Sequence, residues 1–177
     1  MIAEIQSLDA AILLFIQDHL RVALLDPIMI LMAYIGQVGS IWIVISLVLI
    51  FSFKDRRTGI LVIATMLICY IFNDIIVKNI IARPRPFETI PDLTVLGFFP
   101  GSYSFPSGHA CSSFASAFIL SKRLPNRQGR WFYILAAVIA ISRPYVGVHY
   151  VTDMLAGALI GTLGAMITWK LTKKYLT

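Results

Sequence analysis

Charged side chains are scarce in this chain. Only 14% of its 177 residues are Asp, Glu, Lys or Arg, against about a quarter in soluble domains. Hydrophobic residues make up 58% and the mean hydropathy is +0.82, more apolar surface than one domain of this length can bury. The solvent for much of it is lipid. Cysteine is nearly absent too. Cys69 and Cys111 lie in or beside apolar runs, at a spacing that fits neither a zinc framework nor a disulfide scaffold, so both read as small core residues. No secretory signal is expected in the first twenty residues, which carry Glu4, Asp9 and Asp18, with no basic n-region and no A-x-A site. The net charge of +6 does not imply nucleic acid, because that partner needs Lys and Arg gathered on one solvated face. Here they fall in short runs between apolar stretches, the way membrane proteins mark their cytoplasmic side.

A spanning helix needs about 20 apolar residues, and the sequence predicts such helices over 28–53, 58–81, 106–121, 131–148 and 151–169. Asp26 and Pro27 open the first as N-cap and first-turn proline, and Gly36 and Gly39 predict a bend or break within it. Residues 4–20, with Ile5, Leu8, Ile12, Phe15 and Ile16 among polar positions, read as an amphipathic helix lying in the interface or making a short span. The expected fold is all-α: a polytopic membrane helix bundle of five to six transmembrane helices with an amphipathic N-terminal helix. One domain covers 1–177, with that helix in 1–21, a helical core in 26–174 and an active-site loop over 82–105. Gly157, Gly161 and Ala165 form a small-residue ridge for close helix packing.

If the spans alternate, Lys54, Arg56, Arg57, Lys122, Arg123, Arg127, Arg130, Lys170, Lys173 and Lys174 share one side, which the positive-inside rule makes cytoplasmic. Arg21, Lys78, Arg83, Arg85 and Arg143 fall on the other. Arg143 lies thirteen residues beyond Arg130, roughly 20 Å into a core ~30 Å thick. An ionisable residue at that depth points to function. The chain is thus expected in the cell membrane, with its site on the extracytoplasmic side.

Three clusters border that side. Lys78, Arg85 and Arg143 offer positive charge to a phosphate dianion, and arginine supplies a planar fork that matches phosphate oxygens. Ser107 and Gly108 open a helix whose free N–H groups attract anions, and glycine lets the backbone approach closely. His149 and Asp153, four apart, share a helix face, so the carboxylate can fix the imidazole tautomer and leave the other nitrogen as a nucleophile. His109, from another helix, can protonate the leaving group and later activate water. His19 reads as an interface residue. Asp74 and Lys78 are spaced to pair with each other.

At these residues the sequence resembles the type-2 phosphatidic acid phosphatase family of membrane lipid phosphatases, recognised by K-x6-R-P, P-S-G-H and S-R-x5-H-x3-D. Lys78, Arg85 and Pro86 match the first pattern; Pro106, Ser107, Gly108 and His109 the second; Ser142, Arg143, His149 and Asp153 the third. The resemblance implies about six helical segments and an outward-facing site. It implies metal-independent, cofactor-free hydrolysis of a lipid phosphomonoester or diphosphate through a phosphohistidine. Substrates of that kind are phosphatidylglycerophosphate, phosphatidic acid, undecaprenyl diphosphate and lipid A phosphates. In that scheme His149 is the nucleophile, Asp153 its orienter and His109 the acid/base, while Lys78, Arg85, Ser107, Gly108 and Arg143 hold the phosphate. The family is also similar to vanadate-dependent haloperoxidases, whose solubility argues against that activity here. Two alternatives share the motifs: a phosphotransferase, and a non-catalytic lipid-binding or transport protein. The expected partners are the lipid phosphate and membrane lipids, with no nucleic acid.

Overall fold

The computed structural model describes residues 2–51, 55–124 and 128–175; the end of the 28–53 stretch, Lys54 and Arg127 lie outside the described residues. Among those described, all regular structure is helical. α1 (Ile2–Phe15) continues into a wider π-helical turn at Ile16–Leu20. Several of its apolar residues point outward, as a helix in the interface or a short span requires, and one acidic residue turns inward. Ile5, Leu8 and Phe15 are exposed, whereas Asp9 and Leu13 are buried. The apolar side chains can face lipid, and the carboxylate turns inward because Arg83 and Thr152 receive it.

α2 (Asp26–Ile35) and α3 (Ser40–Phe51) meet at a tight turn over Gln37–Gly39 and are bent by 53°. Val38 and Gly39 adopt left-handed conformations there, φ 53 and φ 69, so the break expected at Gly36 and Gly39 is present. Asp26 does not cap α2. Leu25 holds the cap position, Asp26 is the first helical residue, and its carboxylate accepts the Tyr145 hydroxyl at 2.7 Å. A tertiary donor has displaced the local one.

α4 (Arg56–Tyr70) is capped by Asp55, which accepts from the Thr58 amide and hydroxyl. It passes into a π-helical segment, Ile71–Val77, then α5 (Lys78–Ile81), and ends at Ala82 in the left-handed region. The stretch 82–105 is mostly irregular but contains one short helix, α6 (Pro86–Thr89). α7 (Gly108–Arg123), α8 (Gln128–Tyr145) and α9 (Val151–Thr172) complete the bundle.

α7 lies at the centre and packs on α4, α8 and α9. Ile119 and Leu120 of α7 join Trp42, Val62 and Ile139 in the main core, and Cys69 and Cys111 sit there as free thiols. The Trp42 indole donates to Ser113 Oγ at 3.0 Å. The small-residue ridge of α9 meets α7 so closely that a β-carbon on Gly157 would stand 2.3 Å from the Ser107 carbonyl oxygen.

By length and apolarity, Arg56–Thr89 and Val151–Tyr175 can each cross a membrane, and the bent pair Asp26–Ile35 with Gln37–Phe51 makes a third. The five to six spans expected from sequence exceed this. α7 falls short because it is brief and rich in serine and alanine: Ala110, Ser113, Ala115, Ser116 and Ala117 are all buried. A helix surrounded by protein needs small side chains for close approach rather than an apolar perimeter.

Candidate active site

Four helix ends converge on one cavity of about 510 Å³. The end of α4–α5 supplies Asp74 and Lys78, the start of α7 supplies Gly108 and His109, the end of α8 supplies Arg143, and the turn before α9 supplies His149. Arg85 enters from the irregular stretch. Six of the eight residues singled out from sequence line this cavity. Ser107 and Asp153 stand behind it, both fully buried.

His149 is not on a helix with Asp153, as the four-residue spacing suggests. It lies in the turn between α8 and α9, where Gly147 takes φ 85, and Asp153 is in the first turn of α9. The two still face each other: Nδ1 is 3.5 Å from Asp153 Oδ2. On the opposite side Nε2 is 3.3 Å from Arg85 Nη1. A guanidinium only donates, so Nε2 is the acceptor and carries the lone pair, with the proton on Nδ1 toward the carboxylate. At 3.5 Å that contact is loose, and Nδ1 has no hydrogen-bond partner. Contacts of this kind tighten when substrate arrives.

His109 has the complementary tautomer. Its Nε2 is 3.1 Å from the Ala33 carbonyl oxygen, which only accepts, so Nε2 carries the proton and Nδ1 is left free. α2 is pressed against this ring; a β-carbon on Gly36 would stand 2.9 Å from it.

The cations differ in their partners. Lys78 Nζ pairs with Asp74 Oδ1 at 2.5 Å. Arg85 is braced by the loop, donating to Ser102 O at 2.6 Å and to Val148 O at 2.7 Å. Arg143 is 2% exposed and its Nε has no hydrogen-bond partner. A buried, unsatisfied guanidinium N–H costs about 1–3 kcal/mol or more, so it marks a place made for an anion. Away from the cavity, burial holds the Arg21 guanidinium below its ordinary value, with Asp26, Tyr145 and Asp18 acting in the other direction. Arg21 fastens the N-terminal segment by donating to Tyr145 O at 2.9 Å and Thr94 O at 2.8 Å.

Ser107 caps α7, its hydroxyl accepting from the Ala110 amide. The close neighbour of Gly108 is Asp74, whose Oδ1 would lie 2.7 Å from an added β-carbon. Asp74, Arg83 and Ser104 were not expected at the site. Ser104 Oγ donates to Asp153 Oδ2 at 2.5 Å, and Arg83 Nη1 to Asp153 Oδ1 at 2.6 Å. Ser104 has no sequence signal of its own. Arg83 had a faint one, a second Arg-Pro two residues before the first.

Residues 58–176 match the PAP2 superfamily. The chain is 30% identical over 149 residues to an undecaprenyl-diphosphatase of Sulfolobus acidocaldarius, covering 82% of this chain and 69% of that protein. It is similar in structure to Aquifex aeolicus LpxE, with a TM-score of 0.78 and 28% identity over 90% of this chain and 93% of the other. It is also similar to a transmembrane PAP2 type phosphatidylglycerolphosphate phosphatase from Bacillus subtilis, with a TM-score of 0.75 and 30% identity over 97% and 87% of the two chains. The chain therefore belongs to the PAP2 superfamily, and with it to the hydrolases of phosphoric esters and diphosphates.

Proposed function

We propose that this protein hydrolyses a lipid phosphomonoester or diphosphate in the cell membrane, by way of a phosphohistidine on His149 and without a metal. The observation that carries this reading is the single cavity lined by Lys78, Arg85, Arg143 and both imidazoles, with the Nε of buried Arg143 unpartnered. Phosphate oxygens satisfy that N–H and draw the Arg85 donor off His149 Nε2. The freed lone pair attacks phosphorus and the bond from phosphorus to the lipid oxygen breaks, while His109, protonated on Nδ1 once the phosphate anion is bound beside it, gives that oxygen the Nδ1 proton. His109 then takes a proton from water, the resulting hydroxide attacks phosphorus, and the P–N bond breaks to release phosphate. Asp153 balances the charge on the His149 ring throughout.

The far part of the cavity supports a lipid rather than a soluble substrate. It runs from the cations to Ile43, Ile63, Met66 and Leu67 of α3 and α4, and Leu67 is 57% exposed on a helix face with Ile60 and Ile71. A chain leaving the headgroup there passes directly into the bilayer. The relatives named for undecaprenyl diphosphate and phosphatidylglycerolphosphate fit such a substrate. The described basic residues Arg56, Arg57, Lys122, Arg123 and Arg130 lie at the helix ends away from the site. That favours an extracytoplasmic site.

The test is phosphate release by detergent-solubilised protein from a panel of prenyl diphosphates, phosphatidylglycerophosphate, phosphatidic acid and lipid A. His149→Ala is expected to abolish turnover and to lose a 32P label trapped on the wild-type protein by acid quench, while EDTA leaves the rate unchanged. Turnover by His149→Ala, or release from none of these lipids, overturns the reading.

A further inference from the structure

Asp9 lies in the middle of α1, a helix whose other described neighbours in sequence are mostly apolar, yet it is 2% exposed. Its carboxylate accepts the Thr152 amide at 3.1 Å, the Thr152 hydroxyl, and Arg83 Nη2 at 2.9 Å. The same guanidinium, through Nη1, donates to Thr152 Oγ1 at 2.8 Å and to Asp153 Oδ1 at 2.6 Å. Its flat face lies 3.7 Å above the Tyr150 ring centroid. Arg83 is thus held on two edges and one face, between a carboxylate of the N-terminal helix and the carboxylate that faces His149.

Asp153 is fully buried and its two oxygens are divided. Oδ2 serves the Tyr150 amide, Ser104 Oγ and His149 Nδ1. Oδ1 has the Arg83 contact. A carboxylate turns about its Cβ–Cγ bond, and swinging Oδ1 toward Arg83 fixes where Oδ2 points. Arg83 in turn is a long side chain whose ordering has an entropic cost, and it is fixed by Asp9 and Tyr150. Asp9 therefore reaches Asp153, the carboxylate that faces the imidazole, through two charge-assisted hydrogen bonds, the stronger kind.

We infer that Arg83 and Asp9 are positioning residues for hydrolysis, and that the N-terminal helix sets the aim of the Asp153 carboxylate on His149. This rests on the reading of Asp153 as orienter of a nucleophilic His149. In that role neither residue touches substrate, so their loss lowers kcat and spares KM. Outer partners of a catalytic imidazole are worth roughly 10- to 100-fold in comparable metal sites.

The experiment compares Asp9→Asn, Arg83→Ala and the double variant in the full chain, in detergent, on one lipid phosphate that the wild type turns over. Asp9→Asn is isosteric and keeps the fold testable if Arg83→Ala does not accumulate. Expected are a fall in kcat of about tenfold for Asp9→Asn and about a hundredfold for Arg83→Ala, with KM within about twofold. The double variant should match Arg83→Ala alone, because Arg83 links Asp9 to an Asp153 oxygen and the Asp9 contacts to Thr152 reach none. Wild-type kcat per folded protein in Asp9→Asn overturns the inference. So do effects that multiply in the double variant, or a fall in melting temperature with kcat intact, which mark a brace and nothing more. His149→Ala and Asp153→Ala are run beside them. If these two retain turnover, the underlying catalytic reading fails; if they are inactive while the Asp9 and Arg83 variants keep full kcat, only the present inference fails.

Discussion

Gly161 of α9 lies so close to Cys111 of α7 that a β-carbon on it would stand 2.1 Å from the Cys111 carbonyl oxygen and 3.0 Å from its Cα. These are backbone atoms of the central helix, so the contact has no flexible side chain to absorb a methyl group. The start of α7 carries Gly108 and His109 and the start of α9 carries Asp153. Packing at this crossing therefore sets the separation of the proposed catalytic groups, His109 two residues from Cys111 and Asp153 eight from Gly161.

Gly161→Ala is expected to destabilise the protein by about 1–3 kcal/mol, the usual cost of overpacking, and to lower activity by widening the α7–α9 gap. Gly164→Ala is the control, since its β-carbon would meet only the Cys69 sulfur, at 2.8 Å. Thermal unfolding in detergent should rank Gly161→Ala well below Gly164→Ala. Equal melting temperatures would remove the close backbone approach from the account.

Gly108→Ala tests the cavity rather than the core. The new β-carbon would stand 2.7 Å from Asp74 Oδ1, and that oxygen holds Lys78. Displacing Asp74 moves the Lys78 ammonium, so kcat/KM should fall by about tenfold or more, equivalent to ~1.4 kcal/mol. In an Asp74→Ala background the same glycine substitution should cost much less. A full penalty in both backgrounds would place the cause elsewhere.

Arg143 sets function against stability. Its Nε is buried with no partner, so Arg143→Met should leave unfolding free energy unchanged or raise it by about 1–3 kcal/mol. Turnover should fall by a hundredfold or more, and inorganic phosphate should lose most of its competitive inhibition. Arg143→Lys keeps the charge but not the planar fork, and should recover only part of the phosphate affinity. Loss of stability in Arg143→Met would show that the guanidinium supports the resting fold.

Leu67→Trp narrows the apolar end of the cavity without touching the cations. KM for a long-chain lipid phosphate should rise by about fivefold or more, while a short-chain, water-soluble analogue is turned over as before; one CH2 contact is worth about 0.8 kcal/mol. Equal effects on both substrates would mean that the chain leaves by another route.

The residues proposed to meet phosphate were legible in the sequence because their chemistry admits few substitutes. Lys78, Arg85, Arg143, His109 and His149 are polar groups in or beside apolar runs, and the cost of burying such groups in lipid marks them for function. The break at Gly36 and Gly39 and the ridge at Gly157, Gly161 and Ala165 were legible for a similar reason: backbone freedom and close approach both call for small residues. Periodicity misled where partners are distant. Asp26 looked like a cap until Tyr145 of α8 claimed its carboxylate. Residues 4–20 read as an amphipathic helix at the interface or a short span, and nothing in that pattern singles out Asp9 as the buried polar position.

Residue types and spacing were thus enough for the lipid-solvated helical class and for the cations and the pair of imidazoles that line one cavity. The three-dimensional arrangement settled which nitrogen of each ring holds its lone pair, that His149 sits in a turn rather than on α9, and that Arg83 joins Asp9 to Asp153. The ring nitrogens and the Arg83 link depend on contacts across 64 to 76 positions of chain. Local preferences say which side chains want a charged or hydrogen-bonding neighbour. Only the packing of whole helices says which neighbour arrives.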